Sequence, residues 1–408
     1  MEKIRIGIIR EGKVPPDHRV PLTPKQCKAI QVLYPNVEVI VQPSPIRAFK
    51  DTEYEAEGLK LSEDLSMCDI ILGVKEVRIE DLIPGKKFMF FSHTIKKQPY
   101  NRKLLQSILE KKIELIDYEI IKDKHNKRLI GFGRYAGIVG CYNAFLTYGL
   151  KHGLYELKPA NKCRNRKEME AELQNVVLPK DMKIVLTGFG RVGHGAVEII
   201  DLLPIKEVAP DEFLSKKFDG PVYTHLEAED YFGRKDGKPF NKQEFYTQPE
   251  LYKSTFLPYL EAAHMYIPCH YWNNKSPYII TAQDLRSPKL KTTVIADISC
   301  DVAGPIASTI RSSRISDPMY GYNPVTETED DLKKDGVIAV MAVDNLPCEL
   351  PLDASEDFGN ELMKHVLPAL LKDDPDNIIG RAMETTKEGT LTAAYSYLQD
   401  YVDEKSNA

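Results

Sequence analysis

A glycine motif in the second half of the sequence has the spacing of a nucleotide-binding turn. Gly188, Gly190 and Gly193 form a Gly-x-Gly-x-x-Gly pattern directly after the apolar run Lys183–Thr187. The residues that follow have helical apolar spacing. In a strand, turn and helix unit, such glycines let backbone amides and the helix N-terminus approach a pyrophosphate. We expect a dinucleotide site here; the alternative is a tight turn without a ligand.

Two acidic residues bear on the choice of dinucleotide. Glu207 and Asp211 lie about 20 residues beyond the motif, where an acid that binds a ribose hydroxyl is expected. Few basic side chains near them could meet a 2′-phosphate. The pattern favours NAD, and NADP stays open because both acids could be solvated loop carboxylates.

Polar side chains that could transfer protons or bind carboxylates follow predicted strands in the N-terminal half. These residues are Arg19, Lys75, His93 and Tyr118. The carboxyl ends of strands in an open parallel sheet share one edge, where ligands bind. We therefore expect the four side chains to line one cleft.

Each of these four residues also has a structural interpretation. Arg19 could be a surface cation, and Lys75 could form a local ion pair with Glu76. His93 could cap a helix or pack as a buried imidazole. Tyr118 could belong to the core.

The elements that would position these groups alternate along the chain. The Thr-Pro-Lys-Gln sequence at Thr23 predicts a capping box and a helix to about Tyr34. Strands are expected at residues 4–9, 37–41, 70–74, 88–91, 113–116, 183–187, 265–267, 294–298 and 337–343, with a helix from Ser355. Alternating strands and helices indicate an α/β fold with two doubly wound parallel sheets.

Length and composition set limits on the class of protein. A chain of 408 residues exceeds one hydrophobic core and predicts two domains. With 55 basic and 60 acidic side chains, the net charge of -5 provides no excess of positive charge that could neutralise the phosphate backbone of a nucleic acid. We find no apolar run long enough for a membrane span and no signal peptide, so a cytoplasmic protein is expected. The seven scattered cysteines are expected to be reduced thiols, and no metal site is visible.

Residues 127–140 combine basic side chains with glycines ahead of an apolar helix. Such a stretch can bring cations and backbone amides together around carboxylates or phosphates. The alternative is a glycine-rich turn between domains with solvated charges.

The motifs together resemble the lysine-forming saccharopine dehydrogenases and the lysine–ketoglutarate reductase domain of bifunctional enzymes. The resemblance covers nearly the whole chain. It is carried by residues 10–11 and 18–24, 73–76 (Gly-Val-Lys-Glu), 91–98 (Phe-Ser-His-Thr-Ile-Lys-Lys-Gln), 115–119, 131–140, 343–347 and 350–351. The Arg-x-x-Leu-Thr-Pro pattern near the N-terminus is shared with alanine dehydrogenase and transhydrogenase.

The resemblance implies roles for individual residues. Lys75 and His93 match an acid-base pair, and the positions that match saccharopine-binding residues are Arg19, Gln98, Arg128 and Phe132. The positions that match cofactor-contacting residues are Lys127, Arg191, Val192, Val343, Asp344, Asn345 and Leu346.

The family fold implies two Rossmann-like domains separated by a cleft. A substrate domain would span residues 1–143 plus 353–408, completed by the C-terminal helix, and a dinucleotide domain residues 144–352. The implied activity is NAD(P)-dependent interconversion of saccharopine with lysine and 2-oxoglutarate, in either direction. Another amino-acid dehydrogenase, such as alanine dehydrogenase, and a non-catalytic sensor of nucleotide and amino acid remain alternatives. Oligomeric state and regulation are beyond the sequence.

Overall fold

The computed structural model describes residues 3–403, which form two compact units. The first unit contains the residues up to Phe132 and those from Pro351 onward, and the second is Gly133–Leu350. The predicted boundary after residue 143 falls inside a continuous helix that starts at Gly133. The glycines of this helix made the stretch resemble a turn in the sequence.

Sixteen strands belong to the described residues, six of them in the first unit. The first six are β1 Ile4–Ile8, β2 Val37–Val41, β3 Lys60–Leu61, β4 Ile70–Leu72, β5 Lys87–Phe90 and β6 Glu114–Asp117. The other ten are β7 Lys183–Thr187, β8 Lys206–Glu207, β9 Val222–Leu226, β10 Phe232–Arg234, β11 Tyr252–Ser254, β12 Met265–Pro268, β13 Val294–Ala296, β14 Met319–Asn323, β15 Thr328–Asp330 and β16 Ile338–Met341.

The described residues form fourteen α-helices. They are α1 Pro24–Leu33, α2 Asp51–Ala56, α3 Arg102–Glu110, α4 Gly133–His152, α5 Arg166–Glu172, α6 Arg191–Ile200, α7 Pro210–Ser215, α8 Ala228–Tyr231, α9 Lys242–Thr247, α10 Leu257–Ala262, α11 Pro351–Glu361, α12 Leu367–Leu371, α13 Ile378–Arg381 and α14 Gln399–Asp403. None of the helices in residues 3–403 is long and apolar enough to cross a membrane.

The first unit is built on a parallel six-stranded sheet in the order β3-β2-β1-β4-β5-β6. Its central strand β1 is buried, with Ile6 opposite Val39 on one side and Ile70 on the other. Helix α1 begins with the predicted capping box: Gln26 donates its backbone N–H to the Thr23 hydroxyl and accepts from the Thr23 amide.

The C-terminal part of the chain completes this unit. In α11, Ser355 accepts a hydrogen bond from the Val20 amide at 2.9 Å. Farther on, residues 382–384 lie antiparallel to β6: the Asp117 amide donates to the Ala382 carbonyl, and the Glu384 amide donates to the Leu115 carbonyl. Segments distant in sequence therefore share one core.

The second unit contains an eight-stranded sheet in the order β15-β14-β16-β13-β12-β7-β9-β8, and a separate β10–β11 hairpin. Strands β16, β13, β12 and β7 are parallel, as predicted. Strands β9 and β8, which were not among the expected strands, are also parallel, whereas β14 and β15 are antiparallel. The prediction of two α/β units is confirmed, with an antiparallel edge that the sequence had not indicated.

Glycines allow α4 and α6 of the second unit to cross at close range. A β-carbon on Gly137 would lie 1.9 Å from the Val192 carbonyl oxygen, and one on Gly195 would lie 2.1 Å from the Arg134 carbonyl oxygen. The interpretation of residues 127–140 as an anion-binding stretch is therefore wrong for Gly137, which is a packing residue.

Candidate functional site

The loops after β1, β4 and β5 bring chemically capable side chains together in the first unit. Lys75 lies just beyond β4, and the backbone amides of Val74 and Lys75 donate to the Glu11 carboxyl at 2.7 and 2.9 Å. Burial, followed by the charge of Arg19, lowers the pKa of Lys75. Within residues 3–403 its ammonium group has no hydrogen-bond or ion-pair partner. Burial thus disfavours the charged form of Lys75, which is the direction that a general base requires.

His93 lies beyond β5 in the left-handed region, with φ 54°. Its Nδ1 is 2.7 Å from Glu76 Oε1, and Lys13 Nζ is 2.7 Å from Glu76 Oε2. Burial opposes ionisation of Glu76, but hydrogen bonds from His93 and Lys13 outweigh it and lower the pKa of this carboxyl to about 2. Glu76 thus fixes the imidazole, and Nε2 is the nitrogen that can exchange a proton with a ligand.

Two carboxyl groups near this pair had not been singled out from the sequence as functional. Glu76 was considered only as an ion-pair partner of Lys75, whereas the structure pairs it with His93 and Lys13. Burial and the charge of Asp17 raise the pKa of Glu11 to about 8. The adjacency of Glu76 to Lys75 was the one signal in the sequence.

Aromatic rings connect the predicted substrate-binding residues. The Arg19 guanidinium lies 4.1 Å from the centroid of the Phe132 ring, and that of Arg128 lies 5.4 Å from the centroid of Phe91. Phe132 stacks on Phe358 of α11 at 4.5 Å, and Phe91 lies beside His93. Cations and aromatic faces thus surround the His93 segment.

Arg19 is less available to a ligand than the sequence suggested. Its Nε and Nη2 donate to the two oxygens of Asp17 at 3.0 and 2.6 Å, and both side chains are buried. The planar fork expected to bind a substrate carboxylate is thus engaged by a neighbour two residues away.

The remaining residues assigned to this unit are exposed or lie inside the core. Tyr118 is fully buried and packs edge-on against Phe91, so its core interpretation holds. Gln98 is exposed in a turn, with its carbonyl accepting from Tyr401 Oη at 2.5 Å. Lys127 is exposed in another turn, where its amide donates to Asp123.

In the second unit, the three glycines each meet a distinct requirement of a dinucleotide turn. Gly188 has φ 95°, and its carbonyl is 2.8 Å from His225 Nε2. A β-carbon on Gly193 would lie 1.8 Å from the Gly188 oxygen, whereas one on Gly190 would meet no atom within 4 Å. Gly190 therefore leaves open the approach that a pyrophosphate would take.

A cavity of about 650 Å³ extends from this turn. Arg191 and Val192 line it, together with Glu227 directly after β9 and His270 shortly after β12. Burial lowers the pKa of His270 to about 3, so the ring is neutral. His270 Nδ1 is 2.8 Å from the Thr187 hydroxyl, and Nε2 has no partner among the described residues. An orphaned polar atom in a cavity beside the glycine turn fits a bound dinucleotide.

The acid next to the turn is not one of the two predicted. Strand β9 lies between β7 and β8, which places Glu207 one strand farther from the glycine turn, on an exposed edge. Asp211 is exposed in the first turn of α7. Neither lines the cavity, whereas Glu227 does. The β-branched and aromatic residues of Val222–Leu226 were the signal that would have located it.

The comparisons with known proteins agree with this architecture. Residues 7–139 match the family described as alanine dehydrogenase/PNT, N-terminal domain. The chain contains this domain. A solved L-alanine dehydrogenase covers 98% of this chain and 99% of its own with a TM-score of 0.66 at 15% identity, which shows a shared fold.

Two curated relatives extend the similarity along nearly the whole chain. Alpha-aminoadipic semialdehyde synthase of Arabidopsis thaliana is 33% identical over 451 residues, covering 96% of this chain and 41% of the relative. Saccharopine dehydrogenase (NAD(+), L-lysine-forming) of Neurospora crassa is 26% identical over 405 residues, covering 94% and 96%. The chain spans less than half the length of the synthase. The resemblance stated from the sequence is confirmed.

The other predicted cofactor residues, 343–346, follow β16 at the same sheet edge as the turn. Val343 and Leu346 are buried and Asp344 is exposed. Asn345 donates to Cys348 Sγ at 3.0 Å. None of the four lines the cavity. In the described part of the chain, no group of three or more His, Cys, Asp or Glu residues could hold a metal ion.

Proposed function

We propose that the protein is an NAD(P)-dependent oxidoreductase that interconverts saccharopine with lysine and 2-oxoglutarate. The observation that carries this proposal is the cluster of Lys75, His93 and Glu76, set among arginines on the sheet of the first unit. The similarity to saccharopine dehydrogenase over 94% of the chain supports the choice of substrate.

In the oxidative direction, Gly190, Arg191 and Val192 of the glycine turn would hold a nicotinamide dinucleotide, which would supply the hydride acceptor for oxidation of the carbon that carries the secondary amine. Lys75 takes the amine proton, since its lowered pKa favours the neutral form. Water adds to the imine; as the carbinolamine opens, His93 protonates the lysine nitrogen and the resulting imidazole takes up the proton of the carbinolamine hydroxyl. Glu76 stabilises the imidazolium that holds this proton.

Saccharopine carries three carboxylates, which require cationic partners. Arg128 lies over Phe91, next to His93, and is the first candidate. Arg19 has two donors committed to Asp17, so we assign it a weaker role than the sequence suggested.

We further propose NAD as the preferred cofactor, because an acid at the end of β9 favours a ribose hydroxyl over a 2′-phosphate. Lys242, whose Nζ is 3.3 Å from Glu227, and Arg191 both line the cavity and could serve a phosphate, which keeps NADP possible.

The test is the absorbance of NADH or NADPH with lysine plus 2-oxoglutarate. Oxidation that requires both substrates is expected. A separate reaction with pyruvate plus ammonia tests the alanine dehydrogenase alternative. Comparable turnover with ammonia in place of lysine would refute the proposal, and binding of nucleotide and amino acid without turnover would favour the sensor.

A further inference from the structure

Two buried carboxyl groups in the first unit take no part in the steps above. Asp117 ends β6, and Glu384 follows α13 on the segment that lies antiparallel to β6. Both are 0% exposed, and neither forms an ion pair within residues 3–403. Their burial requires hydrogen bonds, so their partners show what they hold.

Those partners are the two residues that flank His93. The Ser92 hydroxyl is 2.5 Å from Asp117 Oδ2, which also accepts from the Ser92 amide at 3.2 Å. The Thr94 hydroxyl is 2.6 Å from Glu384 Oε2 and 2.6 Å from the Ser92 hydroxyl. One connected network of hydrogen bonds thus holds the residues on both sides of His93.

The backbone conformation of His93 is unfavourable and therefore depends on these hydrogen bonds. With φ 54° and ψ 15° it occupies the left-handed region, which a residue with a β-carbon rarely adopts. Such strain persists only where the surroundings determine the conformation, and it concentrates at functional sites. The bonds to Ser92 and Thr94 hold His93 where its ring meets Glu76.

The hydrogen-bond donors around the two carboxyl groups differ, and this difference shows which of the two groups is protonated. Asp117 accepts backbone N–H groups on both oxygens, from Ser92 and from Glu119. A backbone N–H can only donate, so Asp117 is the ionised member. The three short oxygen–oxygen contacts Glu384–Thr94, Thr94–Ser92 and Ser92–Asp117 share only the two hydroxyl protons of Thr94 and Ser92, so Glu384 carries the third. Burial raises the pKa of both groups, that of Glu384 well above its usual value.

We propose that Asp117 and Glu384, with one proton held by Glu384, form a clasp that positions His93 for proton transfer. They are positioning residues, since they act through Ser92 and Thr94. The kinetic part of this proposal rests on the proposed function.

The first test compares amide substitutions. In Glu384→Gln, the amide NH₂ can still donate to the Thr94 hydroxyl in place of the acid proton, so most of the turnover is retained. In Asp117→Asn, an NH₂ group must face a backbone N–H, so kcat per folded molecule falls by about 10- to 100-fold, the range for a misplaced catalytic group. The KM for saccharopine changes less, because the arginines are untouched.

A matched control is Glu349→Gln, a buried carboxyl of the second unit bonded to Asn143 at 2.8 Å. It should leave kcat unchanged. Equal effects of Asp117→Asn and Glu384→Gln, or an unchanged kcat in Asp117→Asn, would overturn the clasp. Should Asp117→Asn not fold, Ser92→Ala removes the same link and should lower kcat.

The second test needs no turnover and so separates this proposal from the proposed function. The infrared difference spectrum at pH 8, wild type minus Glu384→Gln, should contain the carbonyl stretch of a protonated carboxylic acid. Without that band in the difference spectrum, Glu384 does not hold the proton and the proposal fails. A wild type inactive on saccharopine would refute the proposed function, while this readout still decides the proton's location.

Discussion

The assignment of Glu227 as the acid that reads the ribose can be tested against the two acids that the sequence suggested. A hydrogen bond to a charged group contributes about 1.5 to 3 kcal/mol. The Glu227 side chain is 44% exposed, so the lower end of that range applies. Glu227→Ala should therefore weaken NADH binding about tenfold. The exposed contact with Lys242 contributes little to folding, so the fold should survive.

Removal of this carboxylate also removes its repulsion of a 2′-phosphate and frees Lys242 to meet one. The affinity for NADPH should then rise as that for NADH falls. Both dissociation constants can be measured by fluorescence titration without substrate. Glu207→Ala and Asp211→Ala serve as controls and should match wild type, because neither side chain lines the cavity. An effect of Glu207→Ala as large as that of Glu227→Ala would refute the reasoning from strand order.

Three further predictions concern the first unit. Lys75→Met and His93→Gln should each lower turnover by roughly 10² to 10⁴, and the double variant should lose much less than the product of the two. Arg19→Ala removes the guanidinium that pairs with the buried Asp17 carboxylate and should lower the free energy of unfolding in urea by about 3 to 5 kcal/mol. The pKa of Glu76 is depressed from 4.5 to about 2 in the folded state. Its contribution to stability is therefore present above pH 4.5 and is lost as the pH falls toward 2. Glu76→Gln should make the free energy of unfolding depend less on pH across that window.

Each of these has a control or a contradicting outcome. Normal saccharopine binding with wild-type turnover in both single variants would leave Lys75 and His93 only a structural role. Arg128→Ala should weaken saccharopine binding more than it lowers stability, in contrast to Arg19→Ala. Equal urea midpoints for wild type and Arg19→Ala would show that the buried ion pair adds nothing. Parallel acid-unfolding curves for wild type and Glu76→Gln would show that its pKa is not depressed.

Local patterns accounted for much of the fold. The capping box at Thr23 and the strands Val37–Val41 and Lys183–Thr187 were predicted with their observed bounds, because they depend on neighbours in sequence. The strand Val222–Leu226 was missed, and the antiparallel edge with it, since short segments of mixed polarity do not reveal their pairing partners.

The sequence by itself determined which side chains could do chemistry: Lys75 and His93 after their strands, and the glycine turn before α6. The tertiary structure alone decided what those groups meet. It placed Glu227 beside the turn by putting β9 next to β7, and it brought Glu384 to the Thr94 hydroxyl across 290 residues. Propensity and periodicity act over a few residues, whereas burial, strand order and hydrogen-bond partners are set when the whole chain packs.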